Sequence, residues 1–359
     1  MKIHVETNKK RDSEGYDVII GKGVLTHIGE YTDLDRRVVI VSDDGVPDEY
    51  VAAAARSCRE PLVFRFPAGE KSKNYRTYLD LLGFMLEKGV CRTDCVLAVG
   101  GGVSGDLAGF AAATYMRGID FVLAPTTLLA QADSSIGGKT GIDFGGVKNS
   151  VGSFVRPVCV AADTDTLATL PQRQIAAGMA EIVKMAATCD RELFGDIEKM
   201  RAPGNVPEED IIARAIEIKR KIVTEDEHES GLRRVLNFGH TVGHAVEAAS
   251  GGRLLHGECV AVGMIPFSRA DARLRIEKLL KRIGLPTTVP EGAKVSADDI
   301  IRLARHDKKK GGELIRAVEL HGIGEWEFSE IGEEELRRIM EESGILSGCK
   351  GKSAEGKKK

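Results

Sequence analysis

Cys95-Val-Leu-Ala-Val-Gly-Gly-Gly-Val-Ser-Gly-Asp106 is the stretch that decides the fold. Its first half is an unbroken apolar run ending in glycines, which reads as a buried strand entering a tight turn. Gly100, Gly102 and Gly105 then fit the spacing G-x-G-x-x-G ahead of a helix. Without Cβ atoms, backbone N–H groups in such a turn can approach a pyrophosphate at the helix N-terminus. A plain tight turn needing positive φ explains the same glycines, so the loop is a weak signal alone. In a standard dinucleotide fold the ribose-binding acid ends the next strand. Here the better candidate is Asp43, which closes the earlier run Arg37-Val-Val-Ile-Val-Ser42. That points to a rearranged Rossmann-like site.

Working outward, Leu62–Phe66, Phe121–Ala124 and Val158–Ala161 read as further strands, and 78–87 has helical spacing. Strands alternating with helices predict a mostly parallel α/β sheet. After Pro171 the pattern changes. Residues 174–187, 210–224, 236–249, 296–304 and 333–342 read as helices, with Ser296 and Asp299 as a capping box and Gly344 as a stop. The expected organisation is an α/β domain over 1–171 and a mainly helical domain over 172–346. Residues 347–359, rich in Gly, Ser and Lys, read as a disordered tail.

The chain has 359 residues, a net charge of −3 and 42% hydrophobic residues, enough for two cored domains. The near-neutral charge implies no general attraction to nucleic acid or membranes. No apolar run approaches the ~18 residues of a membrane span, and the first ten residues lack a signal-peptide pattern. Seven scattered cysteines without a zinc-ribbon spacing fit a reduced, cytoplasmic setting. A small anionic ligand would need local cations.

Two further segments carry such chemistry. Residues 133–149 look too glycine-rich for a packed element and carry Lys139 and Lys148, which suits an anion-contacting loop or a solvated one. Gly138-Lys139-Thr140 is not a P-loop, because Asp133 stands where its first glycine belongs. Residues 233–244, if one helix, bring Arg233, Asn237, His240 and His244 to one face amid apolar neighbours. His240 and His244 at i, i+4 can share a metal, His256 follows in a Gly-flanked turn, and Glu181 can add a carboxylate. Spacing leaves open which two of the three histidines would ligate. Lys184 lies one turn from Glu181. Lys219, Arg233 and the pair Lys308-Lys309 extend a cationic set that would favour phosphate or carboxylate.

Taken together, these segments resemble the 3-dehydroquinate synthase family of the sugar-phosphate cyclase superfamily. The matching runs, in order, are GEKSKN from Gly69, GGGVSGDLAGFAAATYMRG from Gly100 and PTTLLAQADSSIGGKTGIDFGGVKN from Pro125. They continue with GMAEIVK from Gly178, DEHESGLRRVLNFGHTVGHA from Asp226, LLHGECVAVGM from Leu254 and DKK from Asp307. The resemblance implies an NAD-binding domain followed by a helical metal- and substrate-binding domain. It implies zinc, with cobalt as a substitute, on Glu181, His240 and His256, and turns His244 toward substrate. NAD contacts are implied at Asp43, Glu70, Lys73, Gly101, Gly102, Val103, Asp106, Thr126, Thr127, Lys139, Lys148, Thr166 and Thr169. Substrate or catalytic contacts are implied at Arg117, Asp133, Lys139, Asn149, Lys184, Lys219, Arg233, Asn237, His244 and Lys308 or Lys309.

The implied reaction converts 3-deoxy-D-arabino-heptulosonate 7-phosphate into 3-dehydroquinate and phosphate, in the shikimate pathway. It proceeds by transient oxidation, phosphate elimination, reduction and aldol closure, with no net redox. A homodimer without nucleic-acid or membrane partners is expected. Two departures from the family pattern, Gln174 in place of Glu and Thr166 in place of a bulkier residue, bear on NAD affinity. Three other readings compete: a cyclase making an inosose, a valiolone or an amino analogue; an iron-type polyol dehydrogenase; and a non-enzymatic NAD or metal binder.

Overall fold

Strand-forming runs buried on both faces build the first half of the molecule. The structure is a computed structural model that describes residues 1–5, 15–306 and 314–346. Lys308, Lys309 and the expected tail from Ser347 lie outside the described residues. The chain divides into two units: Met1–Pro171 with Glu208–Glu227, and Gln172–Pro207 with the chain from His228 onward. The segment Glu208–Glu227, read from sequence with the helical half, therefore packs with the first unit.

The first unit's strands are β1 (Lys2–Val5), β2 (Tyr16–Gly21), β3 (Arg37–Asp43), β4 (Glu60–Phe66), β5 (Cys95–Gly100), β6 (Asp120–Pro125), β7 (Lys139–Phe144), β8 (Val147–Phe154) and β9 (Cys159–Asp163). Seven form one sheet in the order β1-β2-β9-β6-β5-β3-β4, parallel except for the β1–β2 pair. Val38 to Val41 and Cys95 to Val99 are all buried, as the apolar runs require of central parallel strands. Helices α1 (Asp48–Arg56), α2 (Tyr75–Glu87) and α3 (Gly102–Thr114) follow β3, β4 and β5. From β3 the chain steps outward to β4, then returns to place β5 on the other side of β3. Strand order thus reverses between β3 and β5, where open α/β sheets bind ligands at the strands' carboxyl ends. Asp43 and Gly100 occupy those two ends.

The stretch 133–149 is more ordered than its composition predicted. β7 and β8 pair as an antiparallel hairpin. Gly145 (φ 61°) and Gly146 (φ 79°) supply the two positive-φ positions of a two-residue turn, so these glycines make the element possible. Ahead of the hairpin, Ala130–Ser134 forms a π-turn, closed by Ser135 N donating to Ala130 O at 3.2 Å.

The second unit contains α4 (Gln172–Cys189), α5 (Arg191–Lys199), α7 (His240–Ser250), α8 (His256–Met264), α9 (Ala270–Ile283), α10 (Ala297–His306) and α11 (Glu333–Ser343). The remaining helix, α6 (Glu209–Glu225), is the segment that packs with the first unit. A hairpin of β10 (Ile315–Gly322) and β11 (Glu325–Ile331) joins the second unit's helices, an element the sequence reading passed over. The helix read over 236–249 is also interrupted. Leu232–Asn237 is a short 3₁₀ segment, and α7 starts only at His240, after Gly239 at φ 77°. A side chain on Gly239 would meet Met264 Cγ and Val260 O within 2.9 Å. The break therefore lets the start of α7 lie flush against α8. Arg233 and Asn237 do not continue the face of His240 and His244 along one helix.

Candidate functional site

In the first unit the glycine loop sits at the strand-order reversal. Thr126 N donates to Gly100 O at 2.9 Å, tying the ends of β5 and β6 together. Gly101 caps α3 without a side-chain hydrogen bond, and Gly102 and Val103 form its half-buried first turn. The helix start thus presents bare backbone donors and a partial positive charge. Asp43 lies beside it, with Ser104 Oγ donating to Oδ2 at 2.8 Å and Gly45 N donating to Oδ1 at 3.0 Å. A Cβ on Gly101 would stand 3.1 Å from Thr127 Cγ2, so Thr127 borders the same turn.

A second layer of charge lies alongside. Buried Lys73 donates to Asp106 Oδ2 at 2.6 Å and lies 3.9 Å from Glu70, which in turn is 3.7 Å from Lys148. Burial lowers the Lys73 ammonium's pKa, but Asp106 and Glu70 outweigh it and the net direction is up. Burial raises the Asp106 carboxyl more than Lys73 lowers it. Asp143 N donates to Lys73 O at 2.8 Å and Asn149 N to Asp143 Oδ1 at 2.8 Å, which anchors the hairpin carrying Lys139, Lys148 and Asn149. Lys219, on α6, donates to Asp133 O at 2.6 Å and pairs with its Oδ1 at 2.7 Å. The π-turn places both oxygens on the same side. Thr166 donates to Asp163 O at 2.7 Å and Thr169 bonds Tyr50 at 3.0 Å, both at the end of β9.

Arg117 stands apart from this group. It follows α3 at its far end, ~18 Å along the axis from the glycine loop by helix rise. There Met116, Arg117 and Gly118 all have positive φ, and Arg92, just before β5, donates to Met116 O at 3.0 Å. The structure does not bring Arg117 of this chain to the other proposed substrate residues of the first unit.

The second unit gathers four candidate metal groups from three helices. Glu181 projects from α4, His240 and His244 from α7, and His256 opens α8. Gly257 makes this possible: a methyl there would overlap Ala177 O, so α8 begins against the α4 backbone. Ligating nitrogens of His240, His244 and His256 lie within 4.8 Å of one another. Glu181 Oε1 lies 3.3 Å from His256 Nε2 and 3.7 Å from His240 Nε2. Glu181 is 0% exposed, and both of its oxygens are buried. Lys184, one turn on and 2% exposed, forms an ion pair with Oε2. His244 is exposed. Asn237 donates to Glu229 Oε1 at 2.6 Å, and Arg233 is buried.

Electrostatics agree with a cation-binding role. Burial pushes the Glu181 carboxyl up, but Lys184, His240 and His256 outweigh it and hold it well below the usual range. Burial and Lys184 hold the His240 imidazole well below its ordinary value, ready to donate a lone pair. Burial would lower His256 too, yet hydrogen bonds to Glu181 and Glu247 push it up to about 10. The cluster draws a positive charge toward Glu181, and two imidazoles with a buried carboxylate form a donor set that suits a divalent cation.

The sequence profile for the 3-dehydroquinate synthase N-terminal family matches residues 63–177, and that for its C-terminal family matches 178–310. The 3-dehydroquinate synthase of Streptococcus suis (strain 05ZYH33) is 39% identical over 348 residues, covering 91% of this chain and 97% of that one.

The chain belongs to the 3-dehydroquinate synthase family.

Two solved structures extend the comparison. The 2-epi-5-epi-valiolone synthase of Streptomyces hygroscopicus subsp. jinggangensis 5008, with NAD+ and Zn2+ bound, superposes with a TM-score of 0.84 at 28% identity. It covers 95% of this chain and 99% of that one. A 2-deoxy-scyllo-inosose synthase complexed with carbaglucose-6-phosphate, NAD+ and Co2+ gives 0.83 at 28%, covering 95% and 100%. Against this family background, sequence reasoning missed two groups behind the histidines. Glu247 Oε2 lies 3.0 Å from His256 Nδ1, and Phe238 O lies 3.2 Å from His240 Nδ1. Glu247 had a legible signal, because it falls seven residues after His240 on the same helical face. Among the described residues the cysteines are free, and no helix is long and apolar enough to cross a membrane.

Proposed function

We propose that this chain converts 3-deoxy-D-arabino-heptulosonate 7-phosphate into 3-dehydroquinate and phosphate, using NAD and one divalent metal, zinc or cobalt. The observation that carries the reading is Glu181: a wholly buried carboxylate that faces two imidazoles as well as Lys184. Such a group is costly without a cation. Glu181, His240 and His256 would hold the metal. Exposed His244 would be left for substrate, a reading supported by its greater exposure beside the two other imidazoles.

When bound, the metal supplies a Lewis acid that lowers the cost of an alkoxide on the substrate. NAD supplies a hydride acceptor that is restored within each turnover. This chain's own residues position charge. The start of α3 offers N–H groups to a pyrophosphate, and Asp43 offers its carboxylate to a ribose. Lys139, Asn149, Lys219, Lys184, Arg233, Asn237 and His244 would neutralise and orient an anionic substrate. Asp133, fixed by Lys219, adds an acceptor for a hydroxyl. This surplus of cations over general bases suits a reaction whose leaving group is phosphate. A role confined to the cytoplasm and a homodimeric state belong to the same proposal.

The rival cyclases share the fold at 28% identity, whereas the dehydroquinate synthase of Streptococcus suis reaches 39% over nearly its whole length. The test follows phosphate release from the heptulosonate phosphate with NAD and zinc, alongside absorbance at 340 nm. Phosphate release without NADH accumulation is expected. NADH accumulation without phosphate would instead identify a dehydrogenase, and activity only on another sugar phosphate a different cyclase.

A further inference from the structure

We propose that Glu247 is a positioning residue for the metal, holding His256 in the tautomer and orientation that present Nε2 to the cation; this rests on the ligand set proposed above. The His256 ring has a carboxylate at each nitrogen: Nδ1 lies 3.0 Å from Glu247 Oε2, and Nε2 lies 3.3 Å from Glu181 Oε1. An imidazole can offer a lone pair at Nε2 only when its proton sits on Nδ1, and an acceptor on Nδ1 selects that form. Glu247 is that acceptor, and with 12% of its side chain exposed it is largely shielded from competing water.

The contact also spans two helices. Glu247 lies on α7 with His240 and His244, whereas His256 is the first residue of α8. One carboxylate therefore sets the third ligand relative to the helix that carries the first. His240 is oriented from behind as well, but by the neutral carbonyl of Phe238 at 3.2 Å. An anion behind an imidazole raises its donor strength more than a carbonyl does, so the two histidines are unequal ligands.

The test uses full-length protein stripped of metal, with Zn2+ affinity read by competition against a chromophoric chelator and the fold checked by thermal melting. Glu247→Ala is expected to weaken Zn2+ binding ~10- to 100-fold. Glu247→Gln keeps a neutral acceptor at the same place and should fall between this and wild type, with an altered visible spectrum of the Co2+-loaded protein. Wild-type affinity in both variants overturns the inference, and so does a lowered melting temperature with unchanged affinity. If Glu247→Ala does not fold, the isosteric Glu247→Gln decides alone by the same affinity criterion. His256→Ala separates the two levels. If it retains stoichiometric tight Zn2+, the ligand set itself is wrong; if it loses Zn2+ while both Glu247 variants keep it, only the role of Glu247 fails.

Discussion

Ser104 Oγ donates to Asp43 Oδ2 at 2.8 Å, joining the first turn of α3 to the end of β3 across the point where strand order reverses. Gly45 N holds the other oxygen at 3.0 Å. The carboxylate is thus fixed by one donor on each oxygen, with lone pairs left over for a ribose diol. Ser104→Ala should release one side and weaken NAD binding ~3- to 10-fold, about the net worth of one ordinary hydrogen bond. Ser104→Thr should retain most of the affinity, and Asp43→Ala should lose more than either. Fluorescence titration with NADH reads all three. Equal affinity in Ser104→Ala and wild type would mean that Gly45 alone sets the carboxylate.

Close helix contact at the metal cluster depends on Gly257. Adding a methyl there drives it into Ala177 O, a backbone atom that cannot move independently of α4. Gly257→Ala should force α8 away from α4 and carry His256 with it. The expected result is a melting temperature several degrees lower, together with weakened Zn2+ binding. Gly284→Ala is a useful contrast: the C-cap Gly284, at φ 92°, has no heavy atom within 4 Å of the added carbon. It should cost stability through its left-handed backbone while leaving Zn2+ affinity intact. Loss of Zn2+ in both would show that the metal site simply follows global stability.

These two sites differ in how far the sequence disclosed them. The β3 and β5 runs were legible because strands buried on both faces leave no polar residue to interrupt them. Asp43 was legible because it ends such a run. The hairpin over 139–154 was not, since glycine content alone argued for a loop and the Gly145-Gly146 turn was not weighed as a turn signal. The β10–β11 hairpin was passed over within a mainly helical half. The pairing of Lys219 with Asp133 joins residues 86 apart, and no local period reports such a contact. The helix break at Gly239 was hidden because the spacing of Asn237, His240 and His244 mimics a continuous helical face.

Thiol chemistry offers an independent check on the first unit's core. Burial pushes Cys58 up to about 11 and Cys159 up to about 12, and Cys95 reaches about 12 despite the opposing pull of Arg36. At pH 8 roughly one thiol in a thousand or fewer would be ionised at these positions. Exposed Cys91 should therefore be alkylated by iodoacetamide well before Cys58, Cys95 and Cys159 in the native protein. Cys58, Cys95 and Cys159 should stay protected until unfolding. Peptide mass spectrometry after timed quenching reads the order. Early labelling of Cys95 would mean that the central strand β5 is not buried as described.

Lys184 and Glu181 predict a stability that depends on both metal and pH. Lys184 is 2% exposed and Glu181 0%, so removing the lysine charge leaves a carboxylate buried without its nearest cation. Metal-free Lys184→Met should lose about 3–5 kcal/mol at neutral pH, the usual cost of breaking a buried pair. Glu181 is held below its ordinary value of 4.5. Its depressed pKa contributes stability above that value, and this contribution fades as pH falls through the lower folded value. The gap between wild type and Lys184→Met should therefore be widest near neutrality and should narrow on acidification. Zn2+ supplies the missing positive charge to Glu181, so it should restore much of the variant's melting temperature. Turnover should stay lost, because the metal cannot replace the substrate contact proposed for Lys184. Denaturant melts from pH 3 to 8, with and without Zn2+, would check each part. A variant that is as stable as wild type without metal would show that Lys184 does not compensate the Glu181 charge.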